Sequence, residues 1–289
     1  MSKQTLKQDS NFGGEWTKEK LQIIDDYLNF YVRALGHQHV KLIYIDAFAG
    51  SGKTILADGE KVDGSAILSL KYNFDHFYFI ELNEGRANAL NQEIATRFPE
   101  KNNKVTIIIG DSNNKLKNVL ETLTVYQRGV MFLDPYAMEL NWEILEVAKK
   151  TNVLDIWYLF PLNALVRNLY KQLKMPEATK TKITNIIGTD KWEQELYHES
   201  LQMSFLDDQP LERVDFEKLV EFVRQRLQIS FPYVSPKSRM LKNSNKSPMF
   251  ILFFIMTNNS TKAIGLGSKV VNDIFDKLDK MSQEEKTEC

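Results

Sequence analysis

The chain has 289 residues, of which 43% are hydrophobic and 26% are charged, so it can form one large domain or a domain with an insertion. Its formal net charge of -1 excludes a uniformly basic nucleic-acid coat but allows a local basic surface. The single cysteine, Cys289, excludes a disulfide framework and a cysteine metal cluster, and no metal site is predicted. A soluble, cytosolic protein with no membrane segment is expected, because the polar N-terminus lacks a signal-peptide core and the longest apolar run is too short to span a bilayer.

The predicted elements begin with an amphipathic helix over residues 16–35. The residues predicted to share its buried face are Leu21, Ile24, Leu28, Tyr31 and Leu35. Apolar runs then alternate with helical patterns, which is typical of a parallel sheet with crossover helices. Five parallel strands are predicted from the runs KLIYIDAF, HFYFIEL, KVTIIIGD, GVMFLDP and VLDIWYLF.

The second half of the chain changes period. Residues 162–228 are predicted as a helical insertion, a candidate lid over a substrate or partner, with breaks at KMPEATK and FLDDQPLERVD and a stripe from Phe216 to Leu227. Strand character returns at SFPYVSP and PMFILFFIMT, which we expect to close the sheet as an antiparallel pair before a final helix near Lys269. The prediction is an α/β main domain (1–161 and 229–289) interrupted by this insertion.

The stretch YIDAFAGSGKT, residues 44–54, fits two kinds of ligand loop. As Ala-x4-Gly-Lys-Thr it is close to a nucleotide phosphate loop, and VMFLD then resembles a magnesium-binding strand ending at Asp134. A phosphate loop must lead directly into a helix, whereas the next residues, ILADGEKVDG, contain two Asp-Gly pairs that interrupt helices. As Asp-x3-Gly-x-Gly the stretch fits the S-adenosylmethionine loop of a methyltransferase, which we favour.

Polar residues at successive strand ends support the methyltransferase interpretation, because loops after parallel strands converge on one edge of the sheet. Glu81 can accept hydrogen bonds from ribose hydroxyls, and Asp111 can accept one from the adenine amino group. Each residue also has a structural explanation, as a tight turn or a helix cap. The predicted cofactor-binding residues are Asp46, Phe48, Gly50, Ser51, Gly52, Glu81 and Asp111.

The fourth strand end, LDPYAM, carries the predicted chemistry. In methyltransferases acting on exocyclic amines, an Asp or Asn followed by proline and an aromatic residue holds the amine and stacks on the base. Asp134, Pro135 and Tyr136 match this pattern, with one proline in place of the usual pair. The alternative is a strand-terminating turn without a catalytic role.

A basic segment, SPKSRMLKNSNKSP, separates the last two predicted strands. We expect it to be a loop that stands clear of the sheet, either as a contact for nucleic-acid phosphates or as a solvated hairpin tip. Its candidate nucleic-acid-binding residues are Lys237, Arg239, Lys242 and Lys246.

Taken together, WTKEKLQIIDDYL, YIDAFAGSG, GSAILSL, FIELN, FLDPY and PMFILFFIMTN resemble the three-Cys-motif partner proteins. The resemblance runs from residue 16 to about residue 280. It implies a Rossmann-like fold similar to S-adenosylmethionine-dependent methyltransferases, and a companion that is a three-cysteine, radical-enzyme-like protein. It carries over to Asp46, Gly50, Gly52, Glu81 and the Asp134-Pro135-Tyr136 turn, and it leaves residues 163–228 unmatched.

Three functions follow as hypotheses. The first is an S-adenosylmethionine-dependent methyltransferase acting on an exocyclic amine of a flipped or unpaired nucleic-acid base. The second is a weakly catalytic or non-catalytic subunit that binds a companion protein. The third is a phosphate-loop nucleotidase.

Overall fold

The computed structural model describes residues 14–56, 59–170, 175–199 and 211–287. Cys289, the polar N-terminus and much of FLDDQPLERVD lie outside the described residues. The helices are α1 (Glu15–Leu35), α2 (Ser65–Ser69), α3 (Glu84–Arg97), α4 (Ser112–Glu121), α5 (Trp142–Thr151), α6 (Leu162–Asn168), α7 (Glu177–Ile187), α8 (Trp192–Glu195), α9 (Phe216–Ser230) and α10 (Thr261–Thr287). The strands are β1 (Lys41–Asp46), β2 (Lys53–Ile55), β3 (Lys61–Asp63), β4 (His76–Glu81), β5 (Val105–Ile109), β6 (Gln127–Leu133), β7 (Leu154–Phe160), β8 (Tyr197–Glu199), β9 (Leu211–Arg213), β10 (Tyr233–Val234), β11 (Arg239–Lys242) and β12 (Pro248–Met256).

The central sheet has the strand order β10-β12-β7-β6-β1-β4-β5, with β11 as a further partner of β12. The five predicted strands, β1, β4, β5, β6 and β7, are all parallel to one another. β12 is antiparallel to β7, and β10 is antiparallel to β12, which confirms the predicted closing pair. The strand order reverses beside β1, since β4 lies on one side of it and β6 on the other. Ligands bind at such a switch point in open α/β sheets.

The basic segment does not stand clear of the sheet, and that expectation was wrong. Arg239–Lys242 form β11, which pairs antiparallel with the first half of β12. β10 pairs with only the last two residues of the nine-residue β12, so the first half of that strand needs another partner for its backbone groups. Leu241 is fully buried there, which anchors β11 to the core.

Helices cover both faces of the sheet, because alternate residues of the parallel strands point to opposite sides. Ile43 and Ile45 belong to one apolar cluster, with residues of α4–α7 and α9, and Leu42 and Tyr44 belong to the other, with α1, α2, α3 and α10. The predicted stripe of α1 is confirmed. Its buried members are Leu21, Ile24, Leu28 and Tyr31, and Leu35 is half-buried.

Residues 162–228 contain α6–α8 and most of α9, as the helical period predicts, and also the antiparallel pair β8–β9, which was not predicted. The stripe of α9 is buried through Leu219, Val220, Val223 and Leu227, whereas Phe216 is more exposed. These residues share an apolar cluster with the sheet, and the division into domains stays a prediction.

The final helix begins at Thr261, earlier than predicted. Gly265 and Gly267 lie inside this helix, where glycine is disfavoured, but a Cβ at Gly267 would lie 2.8 Å from Met256 Sδ. The glycine therefore permits close packing of α10 on β12. Within the described part of the chain, every helix is too short or too polar to cross a bilayer.

Candidate functional site

A cavity of about 510 Å³ opens at the carboxyl ends of β1, β4, β5 and β6. A volume of this order is typical of sites for cofactor-sized ligands. The predicted site residues that line it are Phe48, Gly50, Ser51, Glu81, Asp111, Asp134 and Tyr136. The predicted residues that lie outside its lining are Asp46, Gly52 and Pro135. Strand ends that are far apart in the sequence therefore meet in one place.

The two loop glycines have different structural reasons. Both have positive φ, +63° at Gly50 and +83° at Gly52, a region that side chains other than glycine rarely adopt. A Cβ at Gly50 would meet nothing within 4 Å, and Gly50 faces the cavity. A Cβ at Gly52 would lie 2.8 Å from Ile67 of α2 and 2.8 Å from Leu90 of α3. Gly50 thus keeps the cavity open, whereas Gly52 lets the loop pack on two helices.

The loop leads into a hairpin and not into a helix. β2 pairs antiparallel with β3, and Lys53 lies within β2 opposite Asp63. The Lys53 ammonium is 2.5 Å from a carboxylate oxygen of Glu93 on α3. A phosphate loop needs helix N-terminal amides and a lysine directed at the phosphates, and this segment offers neither.

Glu81 connects the glycine loop to α3. Its buried carboxylate accepts hydrogen bonds from Gly50 N at 2.9 Å and Asn83 N at 2.8 Å, and it forms an ion pair with Arg86 at 2.7 Å. The N-cap of α3 is Asn83, whose side chain accepts from Arg86 N, so Glu81 is not the cap. The carboxylate fixes the loop conformation and borders the cavity at the same time.

Asp111 does cap a helix, because its carboxylate accepts from Asn114 N at the start of α4. The exposed position of Asp111 at the cavity leaves its other oxygen accessible to a ligand. The next residue, Ser112, is buried and donates a hydrogen bond to the carbonyl of Ala47. The loops after β1 and β5 are therefore tied together beneath the cavity.

Asp46 lies behind the glycine loop, fully buried. It accepts hydrogen bonds from Ser65 Oγ at 2.6 Å and Phe48 N at 3.1 Å. Burial raises its pKa to about 7, the two hydrogen bonds oppose that shift, and the Asp134 carboxylate adds to it. Asp46 acts on the cavity through the loop that it holds.

Asp134 forms an ion pair that the sequence analysis missed. Lys20 Nζ of α1 lies 2.5 Å from Asp134 Oδ2, and the lysine side chain is only 8% exposed. The ammonium also lies over the rings of Trp16 and Phe132, at 5.1 and 5.8 Å from their centres. The sequence contained a signal for the burial of Lys20, because this lysine precedes Ile24 by one helical turn and therefore lies on the buried stripe of α1.

The turn after Asp134 presents an aromatic ring at the cavity. Pro135 is buried, Tyr136 is 62% exposed and lines the cavity, and Ala137 has a left-handed φ of +54°. A left-handed non-glycine residue costs about 1–3 kcal/mol and is frequent at functional sites. Asn113 of α4 braces the turn, since its amide donates to the Glu139 carbonyl and accepts from Asn141 N.

Glu139 is a further lining residue that the sequence analysis did not identify. Burial raises the pKa of its carboxyl, and the negative charges of Asp111 and Glu81 add to this effect. The charged residues that line the cavity are Lys53, Glu81, Arg86, Asp111, Asp134 and Glu139. Both cations pair with glutamates and Asp134 pairs with Lys20, whereas the described residues hold no ion-pair partner for Asp111 or Glu139. This acidic excess favours a cationic ligand over a polyphosphate.

Two of the four predicted nucleic-acid-binding residues are engaged in ion pairs. Lys237 pairs with Asp276 of α10 at 2.6 Å, and Arg239 pairs with Glu19 of α1 and Asp279 of α10. Lys242 and Lys246 are exposed, and no ion pair involves them in the part of the chain that the structure covers. The paired residues hold α1 and α10 against β11.

No protein-family model matches the chain, and no curated protein matches it. Solved structures do. A Legionella pneumophila protein of the family DUF519 aligns with 91% of this chain and 94% of its own, at 14% identity and a TM-score of 0.51. The methyltransferase domain of bacterial CtHen1-C aligns over 81% and 98%, at 11% identity and a TM-score of 0.38. The N-terminal domain of EvdMO1, solved in the presence of SAH and D-fucose, aligns over 81% and 83%, at 10% identity and a TM-score of 0.40.

At these identities the similarity concerns the fold alone. The parallel sheet, its strand order and its closing antiparallel strand confirm the predicted Rossmann-like methyltransferase fold. The role of each site residue stays a prediction, based on the cavity that these residues share.

Proposed function

We propose that this protein is an S-adenosylmethionine-dependent methyltransferase that acts on an exocyclic amine of a nucleic-acid base. One observation carries the proposal: the glycine loop, Glu81 and Asp111 border the same cavity as Asp134 and Tyr136, at the switch point of the sheet. A donor and an acceptor could therefore meet between the two groups of residues.

The residues present fit the cofactor. The open face of Gly50 allows close approach of a ligand, and Glu81 offers a buried carboxylate beside it for ribose hydroxyls. The acidic excess of the lining suits adenosylmethionine, which is cationic at its sulfur, better than ATP. When bound, the cofactor supplies an electrophilic methyl group.

The acceptor side consists of Asp134 and Tyr136. A carboxylate oxygen of Asp134 accepts a hydrogen bond from the amine, which orients the nitrogen lone pair, and the Tyr136 ring offers a stacking surface for the base. A hydrogen-bond acceptor for the amine beside a stacking surface for its ring supports an aromatic amine as the proposed acceptor.

The resemblance to three-Cys-motif partner proteins adds a proposed companion, a three-cysteine, radical-enzyme-like protein. In the second candidate function, this chain is a weakly catalytic or non-catalytic subunit of that complex. Stable complex formation and cofactor binding without turnover would favour it. The hairpin after the glycine loop counts against the third candidate, a phosphate-loop nucleotidase.

Thermal unfolding with two ligands tests the cofactor. A ligand at 100 times its dissociation constant stabilises a fold by about 2.7 kcal/mol, so adenosylhomocysteine should raise the Tm by several degrees. ATP with magnesium should leave it unchanged. A Tm that responds only to ATP with magnesium contradicts the proposal.

Methyl transfer is tested with methyl-labelled cofactor and separate pools of DNA, transfer RNA, ribosomal RNA and protein, each with and without the proposed three-cysteine companion. Label in one nucleic-acid pool, resistant to protease, is the expected result. Label in protein alone would overturn the nucleic-acid part of the proposal.

The basic residues of the β11 segment provide a separate test of nucleic-acid binding. Neutralising Lys242 and Lys246 should weaken binding to any sequence and reduce the steepness of log affinity against log salt. Neutralising Lys237 and Arg239 should also lower the Tm, because their ion pairs with α1 and α10 are lost. An unchanged salt dependence in the first variant removes this segment from the nucleic-acid site.

A further inference from the structure

The Lys20–Asp134 pair places a second charge at the acceptor side of the cavity. Asp134 is 24% exposed and borders the cavity, whereas its partner Lys20 lies behind it, 8% exposed, on α1. The contact joins residues 114 positions apart. Trp16, one turn earlier on α1, packs on Phe250 of β12 with ring centres 4.7 Å apart, which fixes the end of the helix that carries the lysine.

Stability alone gives a weak reason for this pair. Desolvation of two charges offsets most of their attraction, and apolar replacements of buried ion pairs are often neutral or stabilising. The apolar stripe of α1 already anchors the helix on the sheet. The pair has a clearer consequence for the cavity. Lys20 offsets the negative charge of Asp134 from behind, while Asp134 itself borders the cavity.

A lone carboxylate at this position would favour an alkylammonium, since a nearby opposite charge stabilises the protonated form of an amine. A protonated amine has no lone pair with which to attack a methyl group. The exocyclic amines of nucleobases are neutral at pH 7, so they need a hydrogen-bond acceptor but no counter-charge.

We infer that Lys20 is a specificity-determining residue: it neutralises and orients the Asp134 carboxylate, so that the acceptor site takes a neutral aromatic amine and rejects an alkylammonium. This inference rests on the proposed function and defines its substrate class. Asp111 and Glu139 also border the cavity, and they are common to every variant below, so comparison between variants isolates the pair.

Sinefungin is a suitable probe because it carries an amine, protonated at pH 7, at the position of the transferable methyl group of adenosylmethionine. The quantity to measure by calorimetry is the Kd of adenosylhomocysteine divided by the Kd of sinefungin, here termed the ammonium preference. Lys20→Met should raise the ammonium preference at least tenfold and keep the Kd of adenosylhomocysteine within threefold. Lys20→Gln should have the same effect, because it also loses the charge. It retains a hydrogen-bond donor for Asp134 and replaces the methionine variant if that variant does not fold.

Two further variants complete the cycle. Asp134→Asn should not raise the ammonium preference, and Lys20→Met combined with Asp134→Asn should match Asp134→Asn alone, because the lysine acts through the aspartate. Lys277→Met is the matched control, since it breaks another lysine–aspartate pair of α1, with Asp26, away from the cavity. It should leave the ammonium preference unchanged.

An unchanged ammonium preference in both Lys20 variants, with adenosylhomocysteine still bound, overturns this inference and leaves the proposed function standing. A rise that persists in the double variant overturns it too, since Asp134 would not be the group involved. If the wild-type protein binds neither adenosylhomocysteine nor sinefungin, the proposed function fails and the inference falls with it.

Discussion

Burial raises the pKa of two carboxyl groups to about 7: that of Asp46 on β1 and that of Asp155 on β7, two strands away in the sheet. Asp46 ends β1, supports the glycine loop and lies near Asp134. Asp155 lies near the start of β7 and accepts a hydrogen bond from Tyr27 of α1 at 2.7 Å. The same rise in pKa thus occurs at Asp46, beside a cavity bordered by convergent loops, and at Asp155, where a helix packs on a strand. A shifted pKa indicates a functional site only together with such a cavity.

Cavity volume alone does not identify the functional site either. A larger hollow of about 700 Å³ lies at the amino ends of the strands, bordered by residues at or just before the starts of β1 and β6, among them His39, Lys41, Thr124 and Tyr126. Its lining contains no carboxylate, whereas the smaller cavity at the carboxyl edge contains four. The carboxyl edge is therefore the candidate site because its lining carries the polar side chains that the proposed cofactor and acceptor need.

The largest effect should come from Asp134. Asp134→Ala should reduce methyl transfer at least a hundredfold, since an acceptor for the amine hydrogen bond is lost, and should keep adenosylhomocysteine affinity within threefold. Initial rates with the labelled acceptor and calorimetry measure the two quantities. Asp134→Asn should retain part of the rate, because its amide oxygen still accepts a hydrogen bond.

This experiment needs a control for folding, because Asp134→Ala leaves the buried Lys20 ammonium unpaired, at a cost of about 3–5 kcal/mol. Lys20→Met combined with Asp134→Ala removes both charges and should fold while remaining inactive. Asp155→Asn, at a residue that does not line the cavity, should retain the wild-type rate. A wild-type rate in Asp134→Ala would instead make the Asp-Pro-Tyr turn structural.

Gly50 should have the next largest effect. Gly50→Val projects a branched side chain into open cavity space from a backbone with φ of +63°, so adenosylhomocysteine affinity should fall at least a hundredfold. Lys53→Ala should change it less than threefold, because the ammonium of Lys53, although this residue borders the cavity, is paired with Glu93 of α3. Calorimetry measures both variants, and the reverse ranking would revive the phosphate-loop alternative.

Glu81 should have an intermediate effect. Glu81→Gln replaces one oxygen with an amide that cannot accept from Gly50 N, Asn83 N or Arg86, and it weakens the contact expected with ribose hydroxyls. The affinity for adenosylhomocysteine should fall at least tenfold. Unchanged affinity in calorimetry, in a folded Glu81→Gln protein, would reduce Glu81 to a structural role.

Asp155 should affect stability and not activity. Its folded-state pKa of about 7 lies above the ordinary value of 3.8, so the folded state retains a proton that the unfolded state has lost between these values. The stability associated with that proton is present at pH 4 and is lost as the pH rises through 7. Asn cannot titrate, and its oxygen can still accept from Tyr27.

The Tm of Asp155→Asn relative to wild type should therefore be higher at pH 8 than at pH 4, by about 3 °C or more. Thermal unfolding at the two pH values measures this difference. A difference of the opposite sign would mean that Asp155 is charged in the folded state throughout. Asp46 titrates in both proteins and cancels from the comparison.

Local patterns predicted most of the fold. Apolar runs located all five parallel strands, and strand ends located Glu81, Asp111 and Asp134, because a parallel strand buried on both faces must change to polar residues where it leaves the sheet. Gly50 and Gly52 were identifiable because they follow the first strand in the pattern Asp-x3-Gly-x-Gly. Pattern alone did not separate their roles, since Gly50 faces a cavity and Gly52 faces two helices.

The sequence by itself determined the α/β class, the strand positions and the polar residues at the carboxyl edge, since these depend on the order of residues along the chain. Only the tertiary structure decided that Lys20 pairs with Asp134, that Asp46 lies behind the loop, and that β11 joins the sheet. Each of these contacts depends on the three-dimensional packing of elements distant in the sequence. The charge balance around Asp134 belongs to this second group, because its partner Lys20 lies 114 residues earlier in the chain, on α1.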